Sequence, residues 1–433
     1  MNTREGGVGP CALVVAYYFP PIGGGGVARS LHLVRALAQA GWRLIVLTAD
    51  RAAWPQDPAL LKRVPRSVTV LRIPNPDWGR VAVRSGRQPA PGRGRGRLER
   101  WLVPDLHVGW SALAAVAASS LALVRAVDVV YTTAPPYSAL AAGLTARALG
   151  VPWVADFRDA WTENHARTHL PPWRRRVEER FEGAVLRRAD RVVFASDGAR
   201  DRALRRVPGL AERSETVFTG FAPEELGRCA NPSPTQSPRL ELVHAGSALL
   251  DRKAATFERC LGALAEWARQ DPSVRSTVRL RFVGLEAEAA ARIRQRGGLH
   301  DWVHTEAAVS REALGRLLRG THASLYLAPE GERGGDPIPG KLFDAVGAAR
   351  PLVALAPPGA LSRLVRDRGL GFVVDPENPQ ALIGCLEGLR GRVLRGQALP
   401  GPGAEIRASL CTTATMPRLV STLQRVAGRN ARR

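Results

Sequence analysis

The runs Ala12-Leu-Val-Val-Ala16, Val27-Ala-Arg-Ser-Leu-His-Leu-Val-Arg-Ala-Leu-Ala-Gln-Ala40 and Arg43-Leu-Ile-Val-Leu-Thr48 decide the architecture. The first and third are short and apolar, as strands buried on both faces are, and the second repeats apolar residues at helical spacing. Strand, helix, strand in that order is a βαβ unit, whose two strands run parallel. The alternation continues with strands at Val68–Ile73, Val129–Thr132, Trp153–Asp156 and Val192–Ala195, and helices at Gly109–Arg125, Ser138–Leu149 and Trp173–Arg188. From Pro223 to Pro238 the chain turns polar and proline-rich, which marks a linker over 223–239 between residues 1–222 and a second block, 240–405. That block reads as strands Leu240–His244, Val278–Gly284, Trp302–His304, Ala323–Leu327, Leu352–Ala356 and Phe372–Val374. Between them fall helices Ala254–Arg269, Ala287–Arg296, Arg311–Arg319, Gly340–Ala348, Leu361–Asp367 and Pro379–Arg390. The fold class is α/β, two tandem Rossmann-like doubly wound parallel sheets facing each other across a cleft, with residues 406–433 crossing back onto the first domain.

Composition bounds the rest. A chain of 433 residues exceeds one ordinary core, and 45% hydrophobic with 23% charged residues is globular. Five scattered cysteines without a C-x-x-C pair fit a reducing cytosol, and neither a disulfide framework nor a zinc site is expected. The apolar run Cys11–Phe19 ends at Pro20-Pro21, too short and wrongly flanked for a signal peptide. The uncharged stretch Trp110 to Val124, rich in alanine and serine, has 15 residues and reads as a buried helix, since roughly 20 are needed to span a bilayer. The formal charge of +23 and a pI near 11.3 point to an anionic partner. Seven arginines between Arg80 and Arg100 form a basic loop, and Pro171 to Arg191 forms a basic helix with Trp173, Val177 and Phe181 at helical spacing. Such a helix suits an anionic membrane surface, or packs its stripe on its own domain. Without a finger, RNP-like or K/R-G-F motif, nucleic acid is not the expected partner.

Only three of the 62 basic residues are lysines: Lys62, Lys253 and Lys341. In Asp336-Pro-Ile-Pro-Gly-Lys-Leu-Phe-Asp344, the prolines forbid helix before Gly340, and Leu342, Phe343 and Val346 give an apolar face, so a helix starts near Gly340 and Lys341. A cation at a helix N-terminus opposes the macrodipole by about 0.3–1 kcal/mol unless an anion sits among the free N–H groups, and phosphate is the obvious anion. Gly23–Gly26, between the first strand and its helix, let a phosphate or sugar approach the backbone closely.

With these segments in place the chain resembles the family 4 glycosyltransferases, retaining enzymes of GT-B architecture that use nucleotide-sugars. The likeness rests on Tyr18-Phe-Pro-Pro-Ile-Gly-Gly-Gly-Gly26, Thr132-Thr-Ala-Pro-Pro-Tyr-Ser138, Val154-Ala-Asp-Phe-Arg-Asp-Ala-Trp161, His244-Ala-Gly-Ser247, Pro339-Gly-Lys-Leu-Phe-Asp344 and Ala348-Ala-Arg-Pro351. It implies transfer of a sugar from a nucleotide-diphosphate sugar, as co-substrate, to a hydroxyl of a lipid-linked, polysaccharide or small-molecule acceptor. The family's acidic pair, eight positions apart, falls on Asp336 and Asp344. By resemblance Asp344 accepts from the ribose hydroxyls and Asp336 contacts the sugar, with Glu330 or Glu332 as alternatives to Asp336; Asp344 is otherwise a dipole-stabilising acid. The two basic residues after the second block's first strand are Arg252 and Lys253, which with Gly24, Gly25, Gly246, Gly340, Lys341 and Leu342 complete the donor site that the resemblance implies.

Asp156, Arg158 and Asp159 end a strand and are the candidates for orienting acceptor or sugar, a structural salt bridge being the alternative. The histidine that many relatives carry after the Thr132-Thr133 strand is missing; His32, His165, His169 and His244 lie near cleft loops, and none is assigned as a general base. No D-x-D motif or His/Cys cluster occurs, so no metal and no cofactor is expected. Gly23-x-Gly25-x-x-Ala28 followed by Asp50 imitates a dinucleotide fingerprint and leaves an NAD-dependent oxidoreductase as rival, though Tyr17 to Ile22 separate it from its strand. A non-catalytic basic binding protein of the same architecture is the second alternative. The expected location is the cytoplasm of a GC-rich bacterium, peripheral to the inner face of the plasma membrane.

Overall fold

The computed structural model describes residues 9–50, 56–75, 101–164, 167, 170–226, 237–331 and 333–430. The basic stretch Arg80–Arg100, His165, His169, Glu332 and linker positions 227–236 lie outside the described residues. The chain divides into two compact units, Met1–Thr219 with Thr415–Arg433, and Gly220–Ala414.

The first unit carries strands β1 (Cys11–Val15), β2 (Arg43–Ala49), β3 (Val68–Ile73), β4 (Val129–Ala134), β5 (Trp153–Phe157), β6 (Arg191–Phe194) and β7 (Ser214–Thr216). Their order is β3-β2-β1-β4-β5-β6-β7, every pair parallel. Side chains alternate across the sheet. Leu13 and Val15 join Trp110, Leu140 and Val185 in one core layer, and Ala12 and Val14 join Leu33, Leu37, Met416 and Leu423 in the other. The second unit repeats the plan with β8 (Leu240–Ala245), β9 (Val278–Val283), β10 (Val303–Glu306), β11 (Ala323–Leu327), β12 (Leu352–Leu355) and β13 (Gly371–Val374), in the order β10-β9-β8-β11-β12-β13 and again all parallel.

Three helices carry too little periodic signal to be read from sequence. Asp197–Arg206 buries only Gly198, Ala199 and Ala203, Ala404–Ser409 buries no side chain, and Thr412–Asn430 contains Pro417, which argues against helix. The uncharged stretch after Trp110 is a helix, Val108–Leu123, but its expected burial is corrected. Trp110, Ala114, Ala118 and Ala122 face the sheet, while Val116 is 65%, Leu123 69% and Val124 72% exposed. A helix over a parallel sheet buries one side, and no described element covers the other.

Sequence leaves Asp156 either orienting a ligand at the strand end or forming a structural salt bridge. It is 0% exposed and forms the salt bridge. Arg29 clamps it through Nε at 2.9 Å and Nη2 at 2.7 Å, and Thr133 Oγ1 donates at 2.8 Å. The remaining guanidinium nitrogen donates to Val217 O at 2.7 Å, so one arginine joins the first helix, β5 and the segment after β7. Burial works to lower the pKa of Arg29, but Asp156 outweighs it and the guanidinium stays charged.

Two stability predictions follow from this packing. Arg29→Met strands a buried carboxylate and should cost about 3–5 kcal/mol in denaturant unfolding, with Asp156→Leu on the same background recovering part of it; a loss under about 1 kcal/mol would mean the pair is dispensable. In the helix Leu140–Ala148, a Cβ on Gly143 would fall 2.0 Å from the buried Trp153 indole. Gly143→Ala should therefore lower stability by about 1–3 kcal/mol, whereas Gly384→Ala, with nothing within 4 Å, should raise it by about 0.5–1 kcal/mol.

Candidate functional site

In the second sheet the order reverses between β8 and β11, since β8 is followed outward by β9 and β11 by β12. The carboxyl ends of such a strand pair open a crevice. Gly246 follows β8 with φ +102° and donates its N–H to Val283 O at 2.7 Å. That φ disfavours any side chain, and a Cβ there would lie 1.5 Å from Lys341 Nζ. The Lys341 ammonium thus lies on bare Gly246 backbone.

Lys253, just before the helix Ala254–Gln270, is buried, with its ammonium 5.4 Å from the ring centre of Tyr326 on β11. Both ammoniums act on His244, the penultimate residue of β8. Burial first, then Lys341 and Lys253, hold its pKa down to about 3. The ring is therefore neutral, and its Nδ1–H donates to Leu325 O at 3.1 Å. Nε2 is left as an acceptor, buried without a hydrogen-bond partner among the described residues. Arg252, at φ +62°, accepts Glu330 N–H on its carbonyl at 2.8 Å and sets its guanidinium against Gly331, which ties the glycine loop to this end of the sheet. Two of the three lysines converge on His244 here, with Arg252 as the neighbour of Lys253.

The backbone N–H groups just beyond Gly246 are already occupied. Glu286 accepts from Ala248 N at 3.0 Å, Leu250 N at 3.3 Å, Leu249 N at 3.4 Å and Ser247 Oγ. Burial would raise the pKa of Glu286, but these donors outweigh it and keep the carboxylate ionised. With the Gly246 N–H also given to Val283 O, an incoming anion is left with the lysines.

The helix Gly340–Gly347 starts after Pro339 with no side-chain cap and no acid in its first turn, and Gly340 faces open space. Asp344 is 2% exposed and accepts from Arg311 Nη2 at 2.7 Å, while Arg311 Nε donates to Glu225 at 2.7 Å. Burial raises the Asp344 pKa and Arg311 opposes it. With Lys341, Leu342, Tyr326 and Ala245, Asp344 lines a small cavity at this end of the sheet. Asp336 turns elsewhere: its Oδ1 accepts from Ala360 N at 3.3 Å, at the start of the helix Ala360–Asp367.

In the first sheet the reversal lies between β1 and β4. Gly24 and Gly25 are exposed in the loop before the helix Ala28–Gln39, whose N-terminus has neither side-chain cap nor first-turn acid. β1 ends at Val15, so seven residues precede Gly23 and the dinucleotide-fingerprint alternative loses its strand-to-glycine junction. Arg158 donates to Gly26 O, Pro135 O and, at 3.3 Å, Ala134 O, and lies 5.7 Å from the Tyr18 ring centre. It holds the glycine loop against the proline turn. Asp159 is half-buried near Tyr137, whose hydroxyl donates to Ala160 O at 2.5 Å. Burial, then Asp159, pushes the Tyr137 pKa up and keeps the phenol protonated.

Sequence reading missed Arg311, Glu225, Tyr326 and Glu286. Arg311 is one arginine among dozens and Glu225 sits in the expected linker, so their juxtaposition leaves no local signal. Among the described residues, no group of three or more His, Cys, Asp or Glu side chains is placed to hold a metal ion.

Residues 24–219 match the family model described as a glycosyl transferase 4-like domain. No curated protein matches the chain. Among solved structures, Anabaena HepE in complex with UDP-glucose is 15% identical with a TM-score of 0.59, covering 96% of this chain and 99% of HepE. An α,α-trehalose-phosphate synthase (UDP-forming) from Burkholderia vietnamiensis is also 15% identical, with a TM-score of 0.62, covering 96% of this chain and 100% of its own. A glycosyltransferase from Rickettsia africae is 12% identical with a TM-score of 0.58, covering 98% and 97%. Such identities speak for the fold alone. Residues 24–219 thus carry a glycosyl transferase 4-like domain, and the chain as a whole shares the two-sheet fold of these solved structures.

Proposed function

We propose that the protein moves a sugar from a nucleoside-diphosphate sugar to a hydroxyl of a lipid-linked, polysaccharide or small-molecule acceptor, with retention, and that the second unit binds the donor. The observation that carries this reading is the meeting of Lys253 and Lys341 around His244 at the end of β8, on the switch point of a doubly wound sheet, with Lys341 lying on Gly246. As the bond between the anomeric carbon and the diphosphate oxygen breaks, negative charge grows on the leaving group. Cations fixed in advance stabilise it without reorganisation. Arg252, Lys253 and Lys341 fill that role, with no metal or cofactor invoked, and the N–H groups of Gly340 and Lys341 add the helix terminus.

Arg311 takes Asp344 Oδ1, so Oδ2 is assigned to the ribose hydroxyls, and Leu342 lines the adjoining cavity. The sugar contact goes to Glu330, because Asp336 is engaged at Ala360 N. Gly24 and Gly25 offer open backbone to a ligand at the first sheet's switch point, Arg158 orients their loop, and Asp159 faces the acceptor. Asp156 supports this array from the core. The acceptor's proton passes to the leaving phosphate oxygen, which lies on the same face of the sugar when configuration is retained. A net charge of +23 supports work at the inner face of the plasma membrane.

A thermal-shift series with UDP, GDP, ADP, dTDP and NAD tests the donor. One nucleoside diphosphate should stabilise the protein, by about 2.7 kcal/mol at roughly 100 times its Kd. Lys341→Ala should abolish that shift, and Gly246→Ala should weaken it by displacing the ammonium. Stabilisation by NAD alone, or an undiminished shift in Lys341→Ala, would reject the reading.

His244 adds a pH dependence. Its folded pKa of about 3 lies below the ordinary 6.5. As pH falls through 6.5 the unfolded chain gains a proton that the folded chain refuses, so this stability is whole above that pH and declines down to about 3. The slope is at most about 1.4 kcal/mol per pH unit. His244→Asn should flatten the decline of Tm across this window; an unaltered slope would show that other groups cause it.

A further inference from the structure

We infer that the outer face of the first unit's helix layer, centred on the helix Val108–Leu123, seats the protein on an anionic lipid bilayer. The inference deepens the peripheral-membrane part of the reading above and does not depend on glycosyl transfer.

The helix has no charged residue in 16, although half of it faces outward. A solvated helix face is ordinarily polar. Leu113, Val116, Leu123 and Val124 instead form a ridge along its exposed side. Eight of the 13 exposed large hydrophobic residues among the described residues lie on this layer, counting Leu149, Trp101, Trp173 and Val177. An apolar area so concentrated marks a contact surface.

The charge beside the ridge indicates what it contacts. Arg125 follows the ridge and is exposed. The next helix, Leu140–Ala148, packs alongside, with Thr145 Oγ1 3.5 Å from Ala115 O. Between it and the helix Pro172–Arg188 runs a groove lined by Leu144, Arg147, Arg187 and Arg188. At the opposite end of the layer the exposed rings of Trp101 and Trp173 lie 5.9 Å apart, followed by exposed Arg175 and Arg176. Asp190 pairs with Arg147 at 2.8 Å and Glu179 with Arg175 at 3.1 Å, and the exposed Arg125, Arg176, Arg187 and Arg188 remain in excess of these pairs, so the face is positive. Apolar side chains that enter the headgroup boundary, tryptophans at the interface and arginines on lipid phosphates are the components of interfacial binding. No described helix is long and apolar enough to cross the membrane, so the contact lies along the surface.

Co-sedimentation of the full chain with phosphatidylcholine vesicles, with and without phosphatidylglycerol, tests this. The wild type should pellet with the anionic vesicles and not with the neutral ones. Leu113→Glu/Val116→Glu/Leu123→Glu, at exposed positions that glutamate tolerates in a helix, should reduce partitioning by about tenfold or more, and Arg187→Glu/Arg188→Glu should reduce it on anionic vesicles. Circular dichroism and the nucleoside-diphosphate thermal shift should match wild type in both variants, and the shift can fail by itself if the transferase reading is wrong. The inference is overturned if the wild type ignores anionic vesicles or if the triple variant pellets as before. It is equally overturned if the variant changes only self-association in sedimentation velocity, which would make the ridge a protein contact.

Discussion

A parallel sheet whose strand order reverses must leave the carboxyl ends of its two central strands uncovered, because the crossovers on either side carry the chain away in opposite directions. This constraint acts twice here, between β1 and β4 and between β8 and β11. Everything proposed for ligand binding is attached to one of these gaps. Gly246 has to be glycine because the turn out of β8 is left-handed and the Lys341 ammonium occupies the space of a side chain. Lys253 enters the same gap from the following helix, and the Tyr326 ring from β11 faces its charge.

Arginine and lysine divide the electrostatic work. Arginine is the structural cation: Arg29 satisfies a carboxylate and a carbonyl at once, and Arg174 does the same with Glu178 at 2.8 Å and Pro104 O at 2.8 Å. A planar fork with five donors can be buried only when most of them are used, and these sites use them. Lysine offers a compact charge on a flexible stem, suited to an anion that comes and goes.

Most strands and helices were legible because each buries a short apolar run or a helical stripe, and burial is what periodicity records. The strands Val68–Ile73 and Ala323–Leu327 and the helix Arg311–Arg319 fall on the residues read from sequence. The helix Asp197–Arg206 was invisible because four of its ten residues are arginines and its buried side is made of alanine and glycine. The helix Val108–Leu123 was placed correctly and buried wrongly, because composition records that a segment is apolar and not which neighbour covers it. At the candidate site, the glycine turns and lysines were legible from their positions beside prolines and strand ends. The Glu225–Arg311–Asp344 chain was not, since its members are remote in sequence and each residue type is common.

The sequence by itself determined the α/β alternation, the two-sheet plan, the helix start at Gly340 and the singling out of Lys253 and Lys341, because all of these depend on local pattern and on which residues the backbone excludes. Only the tertiary structure decided the roles of the carboxylates. Asp156 and Asp344 read alike as acids near strand or helix ends, yet Arg29 seals the first in the core while Arg311 holds the second at the lining of a cavity. Asp336 was drawn to a helix terminus that forms only when the loop after β12 folds back on Gly335. A carboxylate's function follows from its partner and its access to solvent, and both are set by segments far away along the chain.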